Sequence, residues 1–214
     1  MKKSKIICLT IGTVLLIAAL SIVLYNFHQD KEAGEYAQSV LAEIKSEIPQ
    51  DVPEPATEAE PIPVQQEEDL FAEYETAKPV PEAVTVIDGN SYIGFVSIPS
   101  LDIELPVMSS WDYDKLKLSP CRYKGTAADG DLIIAAHNYR SHFGRISELD
   151  SGSEIIFTAA DGKVSHYSVI QTETLSGTDI EHMEFGSDDN WDLTLFTCTL
   201  SGQSRVTVRA VLES

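Results

Sequence analysis

The chain opens with a long stretch that carries no charge. Residues 6–24 are nineteen uncharged positions, and Lys2, Lys3 and Lys5 precede them. This length suffices for a helix to cross a bilayer, and it exceeds the apolar part of most signal peptides. Because lysines tend to stay on the cytoplasmic side, the pattern predicts a cytoplasmic end at 1–5 and a membrane anchor at 6–25, with later residues outside. A removed signal peptide, cleaved near Ala19-Leu20-Ser21, is the alternative.

Residues 26–88 have a different texture, rich in Pro, Glu and Ala. Between Tyr25 and Asp88 there are 16 acidic residues and three lysines. This composition predicts an extended, self-repelling linker. Only residues 35–48 have helical spacing, which predicts a short stalk that continues the anchor helix. About 59 flexible residues have a root-mean-square reach of roughly 45 Å, so we expect the following domain to range above the membrane. The acidic charge argues against nucleic-acid binding and against association with anionic lipid.

From residue 89 to residue 214 the pattern becomes that of strands. Apolar residues alternate with polar ones in "LDIELPV", and "DLIIAAH" is a continuous apolar strand that ends on a histidine. "WDYDKLKLS" predicts a helical turn, and Asp161-Gly162 predicts the turn of a hairpin. Helical stretches are few and short. The sequence therefore predicts a mainly β domain of about 125 residues, closed or nearly closed into a barrel.

The last two predicted strands, "DLTLFT" and "RVTVRAVL", define a register. If Cys198 lies opposite Arg205, antiparallel pairing places Thr197 opposite Val206 and Leu193 opposite Ala210, on an apolar face. Cys198 and Arg205 then share the other face, which we expect to point away from the core. Directly opposed Cβ atoms in such a pair are about 5 Å apart. The pattern thus predicts a thiol beside a guanidinium at the mouth of a hairpin.

Cys198 is the candidate nucleophile among three cysteines. A fixed positive charge beside a cysteine favours the thiolate, which is the form that attacks carbonyls. Cys8 lies in the membrane segment and is expected to be inert. Cys121, in a turn-like stretch, is structural or pairs with Cys198 in a disulfide, because the compartment is oxidising. A disulfide would leave Arg205 and the histidine after "LIIAA" without a role.

Acyl transfer also needs a proton shuttle, and His137 is the candidate because it alone directly follows a buried strand. The other histidines are expected to be ordinary surface or loop residues: His28, His142, His166 and His182. No spacing typical of zinc ligands is present, and we expect no cofactor. For these acidic residues, a solvated surface is the preferred interpretation. The alternative is a calcium site whose ligands come from five carboxylates: Glu148, Asp150, Glu154, Asp188 and Asp189.

The order of His137, then Cys198 in "TLFTC", then Arg205 followed by "VTVRA" resembles the sortases of Gram-positive bacteria. "IPSLDIELPV" resembles the strand pair that opens the sortase barrel, and "DLIIAAHN" resembles its histidine strand. The resemblance runs from about Tyr92 to Leu212. Ala136 stands where the family usually has glycine. The resemblance implies a closed sortase-type β-barrel of about eight strands behind a membrane anchor.

The resemblance also implies a mechanism. Cys198 would attack the Thr–Gly carbonyl of an LPxTG-like sorting signal and form a thioacyl enzyme. His137 would protonate the leaving amine and deprotonate the incoming amine of a peptidoglycan cross-bridge or another acceptor. Arg205 would bind the oxyanion or the peptide. Thr197 and Asn138 are the candidates for substrate contacts, although the register points Thr197 inward.

The sortase class and the reaction leave alternatives open. The sequence has no lid with an Asp-Pro-aromatic motif and no second apolar anchor after the last strand. We therefore expect a membrane-bound enzyme that attaches proteins to the cell wall rather than one that polymerises pilins. A cysteine peptidase that hydrolyses instead of transferring would use the same cysteine and histidine. A tethered binding domain with a structural or disulfide-bonded Cys198 is a third possibility.

Overall fold

The computed structural model describes residues 2–48, 82–185 and 191–213. It begins with α1 (Lys2–Glu47), a single helix of 46 residues. No proline interrupts this stretch, and Pro49 lies just beyond its end, where a proline disfavours helical geometry in the preceding residue. The first half of α1 contains a segment of mean hydropathy 2.1, none of it buried, which is long and apolar enough to cross a membrane.

The second half of α1 packs against the rest of the protein. Its buried side chains recur at helical spacing along one face: Ala33, Ala37, Val40, Leu41, Ile44 and Ile48. Full burial of an aliphatic side chain such as Ile44 contributes about 1.5–3 kcal/mol, so several such residues hold the helix in place. The predicted helical stalk is present. The predicted linker needs correction at its start, because residues 26–34 are also helical and the second half of α1 is docked on the barrel.

This docking also changes the expected reach of the domain. Residues 49–81 lie outside the described residues, and they join the end of α1 to the first strand. Because α1 itself contacts the domain before that segment begins, the length of the segment does not set the distance of the domain from the membrane. The expected reach of about 45 Å therefore does not apply.

In the described part of the chain, nine strands follow α1. They are β1 (Thr85–Ile87), β2 (Asn90–Ile98), β3 (Ile103–Met108), β4 (Cys121–Lys124), β5 (Leu132–Ala136), β6 (Glu154–Ala159), β7 (Val164–Ser176), β8 (Leu193–Cys198) and β9 (Ser204–Leu212). Short helices lie between them: α2 (Tyr113–Leu116), α3 (Ile180–Phe185) and two 3₁₀ turns, Pro99–Leu101 and Ile146–Glu148. The helical turn predicted for "WDYDKLKLS" is confirmed at α2.

Eight of these strands form a closed barrel. Their order is β2-β3-β4-β5-β8-β9-β7-β6, and β6 pairs with β2 to complete the ring. Closure leaves no long unpaired edge, which removes the risk of edge-to-edge aggregation. The pairs β3–β4 and β5–β8 are parallel. The predicted mainly β fold, a closed barrel of eight strands with short helices, is confirmed.

The folded domain begins earlier than residue 89. Strand β1 pairs with β2 in a hairpin whose turn is Asp88-Gly89. Both turn residues have positive φ, 50° and 77°, as the tight hairpin turns that favour Asp-Gly require. The linker boundary predicted between residues 88 and 89 divides this turn, although Asp-Gly is a recognisable turn signal.

Among the described residues, the buried apolar side chains form three clusters. The largest fills the barrel and includes Ile134, Leu195 and Val208. A second lies between α1 and the barrel and joins Val40 and Ile44 to Cys121. A third covers the outer face of β5 and β8, where Met183 of α3 packs with Ile133, Ala135 and Phe196. The sheet is therefore buried on both faces next to the end of β8.

Candidate active site

The ends of three neighbouring strands meet at one point of the barrel. Strand β8 lies between β5 and β9, with Ala136 paired to Thr197 and Cys198 paired to Arg205. His137 directly follows Ala136, so it continues the same row beside Cys198. Adjacent strands are about 4.8 Å apart, which brings the histidine and the arginine to opposite sides of the thiol. The predicted register of the β8–β9 hairpin is confirmed at every pair.

Strand alternation puts the three side chains on one face. On β8, Phe196 and Cys198 point to the same side, and Phe196 packs with Ala135 on the outer face of the barrel. His137 follows Ala135 by two residues and therefore shares that face. Arg205, opposite Cys198, also shares it. Cys198 and His137 are both half-buried. The fold thus assembles a thiol, an imidazole and a guanidinium on one partly open surface.

Thr197 has a different environment from the one its substrate role would need. Its side chain is 3% exposed and points into the barrel, as the register indicated. Its hydroxyl donates a hydrogen bond to the main-chain oxygen of Ala136, 2.9 Å away. This bond joins the residue before the nucleophile to the residue before the histidine. The geometry favours a role in fixing the two strand ends over the expected contact with substrate.

His137 is held by its own loop. Its ring is stacked on the ring of Tyr139, with 4.3 Å between centroids and 6° between planes. Burial lowers the pKa of His137, the hydrogen bond with the Asn138 side chain opposes this change, and the positive charge of Lys117 adds to it. The imidazole is therefore oriented from two sides. Asn138, expected to contact substrate, interacts with the histidine. Sequence reasoning missed Tyr139, although its position two residues after His137 was a signal.

Arg205 lies over the turn between β8 and β9. Its Nη1 donates to the carbonyls of Gly202, at 3.2 Å, and Ser204, at 3.3 Å. Among the residues that the structure describes, Nε and Nη2 make no hydrogen bond to the protein. Gly177 lies against the guanidinium: a Cβ added at this position would be 3.1 Å from Nη1 of Arg205. The turn therefore fixes one edge of the fork and leaves the other edge available.

Cys121 and Cys198 are both free thiols, so the alternative disulfide is not formed. Cys121 is fully buried in the cluster under α1, and burial raises the pKa of its thiol to about 12. A thiol of this kind is unreactive at neutral pH. The side chain of Cys8 lies outside the described part of the chain. Cys198 is thus the cysteine whose surroundings suit a nucleophile.

The face that carries Cys198 is more enclosed than expected. Arg209 also lies on it and has no exposed surface, and the adjacent Thr194 and Thr207 are buried as well. This face points away from the barrel core, as the register predicted, but α3 covers part of the outer side of β8 and β9 and buries the side chains there. Only the end of the hairpin, with Cys198 and Arg205, stays partly open.

The other histidines lie apart from this arrangement, with one exception. His28 pairs with Glu32 on α1, His166 pairs with Glu154, and His182 pairs with Glu173. His142 is fully buried under α1, close to His137, which the sequence did not indicate. Within the described ranges, no three acidic, histidine or cysteine side chains are grouped as metal ligands would be. Asp188 and Asp189, two of the carboxylates considered for calcium, lie outside those ranges.

A row of aromatic rings leads from the thiol to the surface. Phe196, two residues before Cys198, contacts Tyr123 at 5.3 Å between centroids. Tyr123 contacts Trp111 at 5.6 Å, and Trp111 contacts Tyr113 at 5.7 Å. Tyr113 is 79% exposed. This aromatic row (Phe196, Tyr123, Trp111 and Tyr113) provides apolar surface beside the candidate nucleophile.

A comparison with known families identifies the arrangement. The sequence profile of the Sortase domain matches residues 96–213, more than half of the chain. The chain belongs to the sortase family. The match includes β5, β8 and β9, whose ends carry the three candidate residues. A sortase of this family is a transpeptidase. A search for curated relatives by sequence found no match.

Solved sortase structures share the fold. Sortase C from Clostridium perfringens SM101 is 26% identical, with 60% of this chain and 73% of that chain covered and a TM-score of 0.50. Clostridium perfringens sortase C with the C-terminal cell wall sorting motif is 25% identical, with coverage of 57% and 71% and a TM-score of 0.50. Sortase A from Corynebacterium diphtheriae is 23% identical, with coverage of 58% and 62% and a TM-score of 0.51. Structures of two classes thus match equally well, and the likeness selects neither class.

Proposed function

We propose that this sortase is a membrane-anchored cysteine transpeptidase that cleaves an LPxTG-like sorting signal and transfers the protein to an amine acceptor of the cell wall. One observation carries the proposal: the ends of β5, β8 and β9 bring His137, Cys198 and Arg205 together on one face. Thiol, imidazole and guanidinium are the groups that acyl transfer through a thioester requires.

The proposed reaction has two halves. The Cys198 thiolate attacks the threonine carbonyl carbon, the C–N bond to the following glycine breaks, and His137 gives its proton to the leaving amine. An incoming amine then attacks the thioester, its proton passes to His137, and the thiolate leaves. Arg205 stabilises the tetrahedral oxyanion in both halves through the Nε and Nη2 edge of its fork. The turn carbonyls hold the opposite edge.

The aromatic row supports an apolar peptide as substrate. The leucine and proline of an LPxTG-like motif are apolar, and such residues pack well on aromatic rings. The row begins at Phe196, on the same face as Cys198, and ends at the exposed Tyr113. Among the related structures, a sortase C has been solved with its C-terminal cell wall sorting motif. We propose that a motif of this kind lies along the row here.

The position of α1 supports a substrate that is itself held at the membrane. The apolar run ends at Leu24, and Asp30, six residues later, contacts the loop after His137. Six residues of helix span about 9 Å. We propose that residues 6–25 cross the membrane once, with the catalytic domain outside, so that the reacting groups lie close to the bilayer surface. A sorting signal followed by its own apolar segment would present its motif at this height.

The decisive experiment uses the full chain in detergent with a fluorescence-quenched LPxTG peptide, with and without triglycine as the amine. Mass spectrometry should detect a product in which triglycine is joined to the threonine, and Cys198→Ala should form none. Cys121→Ala is the matched control and should keep its activity. Cleavage with only a hydrolysed product would favour the cysteine peptidase, and no cleavage at all would reject the proposed substrate.

The cellular role has a separate test. We propose attachment of single proteins to the wall rather than polymerisation of pilins. Deletion of the gene should remove a wall-anchored protein from the cell surface. Loss of a high-mass protein ladder, with single proteins still anchored, would instead favour the pilin-polymerising alternative.

A further inference from the structure

The anchor helix makes a specific contact with the loop that follows His137. The carboxylate of Asp30 accepts hydrogen bonds from the backbone N–H groups of Arg140, at 3.2 Å, and Ser141, at 3.0 Å. The Ser141 hydroxyl also donates to Asp30, whose Oδ1 is 2.5 Å away and whose main-chain oxygen is 3.0 Å away. One acidic side chain of α1 thus satisfies two backbone donors of the active-site loop.

A second feature of α1 makes the contact close. A Cβ added at Gly34 would lie 2.9 Å from the Cβ of Ser141, nearer than such atoms approach in real structures. Glycine at this position therefore lets the helix backbone meet the loop. His142, the next loop residue, is fully buried. The helix and the loop are packed together, which adds a second and independent sign that the contact is built into the fold.

The loop transmits this contact to the candidate acid–base residue. His142 N–H and Gly144 N–H both donate to the Tyr139 carbonyl, at 3.0 Å and 2.8 Å, and Phe143 N–H donates to the His137 carbonyl at 3.2 Å. Tyr139 in turn stacks on the His137 ring. Holding Arg140 and Ser141 in place therefore holds the ring on which the imidazole rests.

We propose that Asp30 of the anchor helix is a positioning residue for His137, so that α1 is part of the catalytic unit as well as its anchor. This inference rests on the proposed function to the extent that His137 transfers protons there. The nucleophile and Arg205 belong to paired strands and do not need α1, whereas His137 belongs to a loop that α1 fixes. Loss of the contact should thus impair proton transfer and leave peptide binding unchanged.

The size of the effect follows from the demands of proton transfer. A displacement of about 1 Å in a reacting group costs up to roughly 100-fold in rate. We expect Asp30→Ala to lower kcat by roughly 10- to 100-fold, with little change in KM. Asp30→Asn keeps an oxygen acceptor for the loop and should recover most of the activity. Glu32→Ala is the matched control, because Glu32 lies on the exposed side of α1 and, among the described residues, pairs only with His28.

Two readouts do not depend on the peptide. Hydrogen exchange at the Arg140 and Ser141 amides should be much faster in Asp30→Ala than in the parent chain. The rate of Cys198 alkylation by iodoacetamide, followed against pH, reports the titration of the thiol and the imidazole together. The groups around that imidazole are Lys117, Asn138, Tyr139 and His142. In Asp30→Ala, the His137 pKa read from this pH dependence should rise toward the ordinary imidazole value, because a loosened loop leaves the His137 ring less buried.

A second pair of variants tests the same contact from the helix side. Gly34→Ala should reproduce the effects of Asp30→Ala, and Gly12→Ala, where an added Cβ meets nothing within 4 Å, should have none. The inference is overturned if Asp30→Ala keeps the parent's kcat, alkylation profile and amide protection. It is also overturned if activity falls only in proportion to the folded fraction measured by thermal unfolding. If the parent cleaves no peptide, the proposed function fails, and exchange and alkylation still decide this inference.

Discussion

Lysine substitutions at the two arginines of β9 separate catalysis from stability. Arg205 and Arg209 lie four residues apart on the same face of the strand, but only Arg205 has a free edge near Cys198. In Arg205→Lys a single ammonium replaces the planar fork, so one group can no longer bind both the turn and an oxyanion. We expect kcat/KM to fall by about 10²–10³-fold, the usual loss for one oxyanion donor, with little change in stability.

Arg209 should show the reverse behaviour, contrary to what its sequence position suggests. Its side chain has no exposed surface and lies 4.4 Å from the Trp191 ring. Its three nitrogens donate to four oxygens: Met183 O at 2.7 Å, Thr194 Oγ1 at 2.8 Å, His182 O at 2.6 Å and Glu173 Oε1 at 3.3 Å. From sequence alone, Arg209→Lys would be tolerated as a surface change. The structure shows a buried cation that ties α3 to β7, β8 and β9.

The cost of Arg209→Lys can be worked from these bonds. A lysine has one nitrogen and reaches about half of the four oxygens. The loss of two hydrogen bonds from a charged donor, at about 1.5–3 kcal/mol each, lowers the free energy of unfolding by about 3–6 kcal/mol. For a domain of this size the melting temperature then falls by roughly 10 °C or more. The activity per folded molecule should change little at temperatures where the variant is folded.

Both variants are assayed in the same way. Thermal unfolding followed by circular dichroism gives the melting temperature, and the triglycine transfer assay, normalised to the folded fraction, gives kcat/KM. The reasoning predicts opposite patterns for the two substitutions. Equal losses of activity would refute the role of Arg205, and an Arg209→Lys protein as stable as its parent would refute the structural role of Arg209.

The remaining predictions concern the thiols, the histidines and Thr197. Cys198→Ala should abolish transfer with an unchanged melting temperature, while an active Cys198→Ala with an inactive Cys121→Ala would reverse the assignment of the nucleophile. The pH profile of kcat/KM should be bell-shaped, and the midpoint of the limb set by His137 should lie below the ordinary imidazole pKa of about 6.5, because burial lowers the pKa of His137. A flat profile under conditions where the chemical step limits the rate would contradict the pairing of a Cys198 thiolate with a protonated His137. Burial lowers the pKa of His142 to about 4, so the folded state favours the neutral ring. The neutral ring therefore contributes about 3 kcal/mol to the free energy of unfolding above pH 6.5, and this contribution is lost as the pH falls toward 4. His142→Phe should flatten this part of the stability curve measured by denaturant unfolding. Thr197→Val keeps the side-chain shape but removes the buried hydrogen bond to the Ala136 carbonyl. We expect the free energy of unfolding to fall by about 1 kcal/mol and kcat to decrease. An unchanged kcat would mean that this hydrogen bond does not position the two strand ends.

The sequence predicted the part of the site that strands determine. Alternation and antiparallel register depend on local pattern, so the pairing of Cys198 with Arg205 followed from the residues of β8 and β9 alone. His137 was identifiable because it ends a continuous apolar strand. His137 follows β5, whose parallel pairing partner β8 begins more than fifty residues later in the chain. Only the resemblance to sortases indicated that these two strands are neighbours.

What the sequence did not predict depends on tertiary packing. The burial of Arg209 requires α3 to cover β8 and β9, and no local signal distinguishes this arginine from an exposed one. The docking of α1 has the same origin. Its acidic composition suggested a linker, whereas the spaced apolar residues from Ala33 to Ile48 form a buried stripe. Overall composition hides the regular spacing of these few apolar residues, although it is this spacing that allows the helix to pack against the barrel.

The division between strands and loop also bears on how the reaction is controlled. Cys198 and Arg205 are fixed by ladder hydrogen bonds inside a closed barrel, and the Thr197 hydroxyl ties β8 to β5 just below them. His137 stands one residue beyond that ladder, on a loop whose order comes from Tyr139 and from Asp30 of α1. If the loop shifts, we therefore expect the proposed nucleophile and oxyanion donor to stay in place and only the proposed proton shuttle to be displaced. Because the same helix enters the proposed membrane span a few residues earlier, the proposed proton shuttle is held by the element that would set the distance of the enzyme from substrates anchored in the membrane.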